Sequence, residues 1–369
     1  MRILIPVLGF SASGGYRVLS KLADEWIRLG HQVCFTSFDE YGPVKFETSA
    51  RVVWFDREGR FVPAPEHVAR GKIRLPKLIL LLTSAIRRLK GEFDVVLANH
   101  SYTPYGALLA GAKDKLYYYV QAYEPEFYWL EGGAKGKAGA LISWMSYNLI
   151  DRSRIIVNSP LYLEYKNIRS DAVVPPGIDL RNFCPKEDPG GIRLIPAIGF
   201  ISRKEAFKGD RQCIDAYRRL RAMGIRCRLK IAYGNTRPEE LAGLPDVEIV
   251  IPGNDAELAD YYRSLDILLA LATIQLGATH YPVMEAMACG TVVVTTGYAP
   301  ADQTCALLVG PDDSAVAAAV ARAIDDPDAS RALAQRAIAR VQDYSWNNVA
   351  VRMPFIREAF HPMAAIQGR

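Results

Sequence analysis

The chain of 369 residues contains only six cysteines and five histidines. Cys34, Cys184, Cys213, Cys227, Cys289 and Cys305 are scattered, with no Cys-x-x-Cys pair and no Cys/His cluster of zinc spacing. That argues against a structural zinc or a disulfide scaffold and for free thiols in a reducing cytosol. No apolar stretch approaches the ~20 residues of a membrane span. The opening MRILIPVLGF is too short for a secretion signal, and the glycine turn and amphipathic pattern behind it fit a first buried strand. That turn lacks the Gly-x-Gly-x-x-Gly spacing of dinucleotide folds, so a nicotinamide reading loses ground. Repeats of solenoid length are absent too. The net charge of +5 is mild and spread along the sequence. It suits an anionic partner such as a nucleotide diphosphate or an acidic membrane surface, and not a nucleic-acid tract.

Half of the residues are hydrophobic, and the chain is too long for one ordinary core, so two domains with a cleft between them are expected. Residues 3–8 read as a strand, GFSASGG as a turn, 16–29 as a helix and 32–36 as a second strand, a β-α-β opening that implies a parallel sheet. FDVVLANH runs a strand into a loop at Asn99-His100, and residues 115–128 run a strand into an aromatic and acidic loop. Further strands are expected at 228–233 and 247–251. KIRLPKLILLLTSAIRRLK, residues 72–90, sets a leucine-rich face beside basic residues. Such a helix suits either the surface of an acidic bilayer or a half-buried cover for the sheet. Residues 130–140, LEGGAKGKAGA, read as a mobile lid or a slack surface loop. The formal Asp-x-Asp at Asp326 and Asp328 lies between two alanine-rich helices, where helix capping is the expected role.

The stretch with the most chemistry is 277–291, GATHYPVMEAMACGT. A polar loop ends at Pro282, a helix follows with Glu285 expected in its first turn, and Gly290 stops it before Val292-Val293-Val294. The amides of Thr279, His280 and Tyr281 are expected to lie free ahead of a helix N-terminus, a ready site for a diphosphate. Glu285 repels an anion but suits sugar hydroxyls, so it reads either as a ribose hook or as a carboxylate that only complements the helix dipole.

PVMEAMACGTVVV resembles the second half of the Glu-x7-Glu signature of retaining glycosyltransferases of family 4, the glycosyl transferases group 1, whose fold is GT-B. VVPPGIDLRNFCP is similar to that family's Pro-Asn-Gly-Ile-Asp linker. Val-Gln-Ala-Tyr-Glu-Pro at 120–125 and the polar loop into Tyr-Pro resemble a branch with rhamnosyl-transferring members. The resemblance implies two Rossmann-like, doubly wound α/β domains: residues 1–172 on the acceptor side, 173–345 binding the nucleotide sugar, and 346–369 a closing helix that crosses back to the first domain. It implies that Glu285 holds the ribose and that Arg203 and Lys208 lie on the donor diphosphate, where they would offset charge on the leaving group. Gly14 and Gly15 would let backbone approach that diphosphate, and Gly253 would sit at the nucleobase. His100 would face the reacting sugar, with Asn99 as the other register. Gln121 and Glu124, set among tyrosines, suit a sugar whose C–H face stacks while its hydroxyls need hydrogen bonds. The family's first Glu falls on Gly277, which bears no carboxylate.

The implied activity moves a sugar from a nucleoside-diphosphate sugar to an acceptor hydroxyl on a glycan, a lipid-linked saccharide or a small molecule. The outcome is retention, with no cofactor beyond the co-substrate and no metal, in the cytoplasm or on the inner face of the plasma membrane. Two other readings stand beside it. One is a sugar-nucleotide epimerase of the same fold using His100, Glu124 and His280, and the other a non-catalytic subunit that binds a sugar nucleotide.

Overall fold

The computed structural model describes residues 1–10, 14–67 and 75–360. The chain forms two compact units, one of Met1–Gly177 together with the chain from Trp346 onward, the other of Ile178–Ser345. The first unit is built on an eight-stranded sheet: β1 (Arg2–Pro6), β2 (Gln32–Phe38), β3 (Arg51–Phe55), β4 (Phe61–Val62), β5 (Val95–Ala98), β6 (Leu116–Val120), β7 (Ile155–Val157) and β8 (Ala172–Val173). Their order across the sheet is β4-β3-β2-β1-β5-β6-β7-β8, and every pair but β3–β4 is parallel. The second unit has β9 (Ala197–Ile201), β10 (Arg228–Ala232), β11 (Val247–Val250), β12 (Ile267–Ala270), β13 (Val292–Thr295) and β14 (Leu307–Leu308). All are parallel, in the order β11-β10-β9-β12-β13-β14.

Strands buried on both faces need apolar runs without alternation. Ile3-Leu4-Ile5, Val95 to Ala98 and Val292-Val293-Val294 are such runs, and all are buried. In the second unit Val292 and Val294 form one core with Ile214, Tyr217 and Leu220 of the helix Asp210–Ala222 and Val316 and Val320 of the helix Asp313–Asp325.

The division between units falls after Gly177 and not at 173, because Ala172 and Val173 pair with Ile156 and Val157 as the last strand of the first sheet. The chain from Trp346 belongs to the first unit. Trp26 Nε1 donates to the Ala350 carbonyl at 3.1 Å, and Phe355 packs edge-on against Trp26 and Tyr117.

Two expectations need correction, and one of two alternatives is decided. Strand β1 ends at Pro6 rather than at residue 8. Residues 133 onward are no loop but the helix Gly133–Ser146, because its glycines are contact points: a Cβ on Gly136 would lie 2.5 Å from the Tyr128 carbonyl oxygen and one on Gly139 2.9 Å from the Tyr128 ring. The leucine-rich basic stretch forms the helix Leu75–Leu89, and its face of Leu78, Leu82, Ile86 and Leu89 is buried within the first unit. Of the two roles expected for it, that helix takes the cover for the sheet, with Leu80 its one strongly exposed leucine among the described residues. Residues 72–74 of that stretch, and 11–13 of the GFSASGG turn, lie outside the described residues, as do 361–369 of the closing segment.

Candidate functional site

In both sheets the strand order reverses once, between β1 and β5 in the first unit and between β9 and β12 in the second. Neighbouring strands there send their connections to opposite faces, which opens a crevice at their carboxyl ends where open α/β sheets bind ligands. The charged and aromatic residues singled out in the sequence lie largely on the loops that leave these strands.

In the second unit, Arg203 and Lys208 follow β9 and residues 273–280 follow β12. The two loops are joined by the Thr273 amide donating to the Phe207 carbonyl at 2.9 Å. Gly209, at φ +89°, makes this approach possible, since a Cβ there would lie 2.4 Å from the Leu271 carbonyl oxygen. Neither Arg203 nor Lys208 makes an ion pair among the described residues. Burial, and then the charge of Arg203, lower the Lys208 pKa, with Glu205 partly offsetting them. The Arg203 guanidinium lies over the Tyr233 ring. Its amide donates to both oxygens of Asp210 at 3.2 and 3.1 Å, and Thr236 donates to the same carboxylate. Asn235 Nδ2 reaches the Ser202 carbonyl, so the loop carrying Arg203 is held from below.

Opposite that loop begins the helix Tyr281–Ala288. Pro282 sits inside its first turn, so Glu285 falls in the second turn rather than the first. Its carboxylate is buried and accepts from Tyr262 Oη at 2.8 Å. Burial and the neighbouring Glu285 hold the Tyr262 phenol protonated as the donor. The His280 amide is not free, because it donates to the Ala299 carbonyl at 3.0 Å, where Thr279 bridges Ala299. What His280 offers is its ring, which stacks on Tyr298 with a buried Nδ1 that lacks a hydrogen-bond partner among the described residues. Burial first, then Lys208 and Arg203, push its pKa down to about 3. Both cations therefore act on the residue that caps this helix. Tyr281 opens the helix itself. Gly290, at φ +73°, ends it with the 6→1 and 5→2 bonds of a Schellman motif, from Thr291 to Ala286 and from Gly290 to Met287. Gly253 lies beyond β11, and its amide donates to Glu257 Oε2 at 2.8 Å, next to Asn254, whose side chain caps the helix Asp255–Arg263.

In the first unit, Gly14 and Gly15 open the helix Gly14–Arg28, and a Cβ on Gly15 would lie 3.4 Å from Gln121 Nε2. Gln121 Oε1 is buried without a hydrogen-bond partner among the described residues. Asn99 is a strut, since its Nδ2 donates to the Pro6 carbonyl at 2.8 Å and ties β5 to β1. His100 is the residue presented. The Tyr102 amide donates to its Nδ1, which puts the proton on Nε2, 3.6 Å from the Glu124 carboxylate. Glu124 also accepts from the Ser101 amide at 3.1 Å and from its hydroxyl. Gly15, Gln121, His100 and Glu124 are thus gathered at one switch point, and Arg203, Lys208, His280 and Glu285 at the other. Among the described residues no three carboxylate, imidazole or thiol groups come together. Asp326 caps the helix Pro327–Val341 by accepting from the Ala329 amide.

The sequence pattern had not singled out Tyr262, Asp210, Gly209 or Ser101. The Gly-Asp directly after Lys208 and the serine directly after His100 are local signals for three of them. Tyr262 is brought to Glu285 only by the packing of two helices.

Two family profiles cover most of the chain: Glycosyltransferase Family 4 matches residues 12–182 and Glycosyl transferases group 1 matches residues 195–326. The chain belongs to this family, with the GT-B fold. D-inositol 3-phosphate glycosyltransferase from Kineococcus radiotolerans is 29% identical over 232 residues, 53% of this chain and 53% of that protein. The chain thus spans about half the length of the first curated relatives it matches. Among solved structures, sucrose-phosphate synthase from Thermosynechococcus elongatus superposes with a TM-score of 0.75 at 18% identity, over 99% of this chain and 100% of that one. HepE from Anabaena, in complex with UDP and glucose, gives 0.71 at 15% identity over 98% of this chain and 100% of that one.

Proposed function

We propose that this protein transfers a glycosyl residue from a nucleoside-diphosphate sugar to an acceptor hydroxyl, with retention and without a divalent metal. The observation that carries this reading is the pair of cations, Arg203 and Lys208, without an ion pair among the described residues and set with the helix Tyr281–Ala288 at the switch point of the second unit. A diphosphate would relieve the cost of burying the Lys208 ammonium, and it becomes more negative as the glycosidic bond breaks, so the same groups favour the transition state over the ground state. Glu285, oriented by Tyr262, would accept from the ribose hydroxyls. The acceptor would bind at the first unit, near His100, Gln121 and Glu124. In front-face displacement the acceptor oxygen bonds to the anomeric carbon as the bond to the diphosphate breaks. The acceptor proton passes to the departing phosphate oxygen.

The test is a panel of UDP-, GDP-, ADP- and dTDP-sugars. One of them is expected to raise the melting temperature in a concentration-dependent way. Incubation of that donor with acceptors, an inositol phosphate included because relatives carry that name, is expected to release nucleoside diphosphate and to give a product of unchanged anomeric configuration by NMR. EDTA is expected to leave the rate unchanged. Conversion to another sugar nucleotide without release would instead establish epimerisation, and binding without turnover a non-catalytic subunit.

A further inference from the structure

The helix Gly133–Ser146 is inside out. Its buried face is made of Gly136, Gly139, Ala140, Ser143 and Ser146, while Leu141, Trp144 and Met145 are turned to solvent. These three stand at i, i+3 and i+4, one stripe of the helix surface. An amphipathic helix serving only its own fold would carry the reverse pattern. Trp129, on the preceding helix Glu124–Glu131, adds a second indole that is 64% exposed; Trp144 is 45% and Leu141 57% exposed. A single exposed apolar residue needs no explanation, but a contiguous apolar stripe points to a partner.

We infer that this face docks on the surface of an acidic lipid bilayer. The charge beside the stripe selects that occupant. Lys135 and Lys137 are exposed on the first turns of the same helix and make no ion pair among the described residues, and the helix contains no acidic residue; Glu131, just before it, is the exposed carboxylate nearby. Lysines flanking leucine, methionine and two indoles match the layering of a membrane interface, with ammonium groups at lipid phosphates, indoles at the headgroup level and aliphatic chains below. The basic helix Leu75–Leu89 offers no such stripe, since Leu78, Leu81, Leu82 and Leu89 are buried within the first unit and Leu80 is exposed singly. The inference is independent of the transfer reading.

The five tryptophans supply the probe, because Trp26, Trp54 and Trp346 are buried and only Trp129 and Trp144 are exposed. The full chain is mixed with vesicles of phosphatidylcholine alone or of phosphatidylcholine with phosphatidylglycerol. Co-sedimentation with the acidic vesicles, a blue shift of the emission, and weakening of both by salt are expected. Leu141→Ser with Trp144→Ser should abolish binding while leaving the far-ultraviolet circular dichroism and the melting temperature unchanged. Each of Lys135→Gln and Lys137→Gln should weaken binding to acidic vesicles about fivefold. Absence of wild-type binding to acidic vesicles would overturn the inference, as would binding that survives the Leu141/Trp144 change. Self-association by light scattering that the same change abolishes, without vesicle binding, would also overturn it, in favour of a second copy of this chain.

Discussion

At the residue scale, the second unit keeps a half-buried ammonium, Lys208, beside a guanidinium, with no carboxylate ion-paired to either among the described residues. Such an arrangement costs stability and is expected to be relieved by an anion. Lys208→Met should therefore lower turnover by about a hundredfold or more while leaving the melting temperature equal or higher, read from nucleotide release and thermal unfolding of the same preparation. His280 gives a second test. An unfolded histidine titrates near 6.5 and the folded one near 3, so between these values the unfolded chain holds a proton that the folded chain lacks. The stability due to neutral His280 is complete above about pH 6.5 and is lost as pH falls toward about 3. His280→Gln should flatten that part of the profile relative to the wild type in urea titrations between pH 7 and pH 4. The helix that carries Glu285 was legible because Pro and Gly bracket it, but the depth of the carboxylate was not, since that depends on Tyr262 from another helix. His100 and Asn99 were ambiguous in register for a similar reason. Adjacent positions at a strand end face opposite ways, and only the pairing of β5 with β1 decides which of them turns inward.

At the scale of elements, strands were readable wherever apolar runs are continuous, whereas the helix Gly133–Ser146 was hidden by the glycines that let it pack. Glycine is a poor helix former in isolation, but here the close approach to Tyr128 outweighs the propensity. The reverse holds at helix ends, where local chemistry suffices and the caps were foreseeable. Asp326→Ala should remove the side-chain cap on the helix Pro327–Val341 and cost about 1 kcal/mol. Gly290→Ala forces a Cβ to 2.8 Å from Pro189 Cβ at a positive φ, so it should cost more than about 1 kcal/mol. Chemical denaturation of the two variants checks both the values and their order.

At the scale of the whole molecule, the return of residues 346–360 to the first unit makes that unit discontinuous in sequence. Truncation after Ser345 would uncover Trp26 and Tyr117, which Ala350, Phe355 and Glu358 now engage. The truncated chain should show a lowered or missing thermal transition for the first unit and a preserved one for the second, with red-shifted tryptophan emission. The order of synthesis adds a constraint of its own. A chain emerging from the ribosome completes the second unit from one uninterrupted span, whereas the first must wait, with Trp26 uncovered, until more than 300 further residues have been added. At ~5–20 residues per second that interval is tens of seconds. During it a nascent chain of this kind would be a natural client for holdase chaperones, and its yield in a cell should respond to their abundance more than its final stability would suggest.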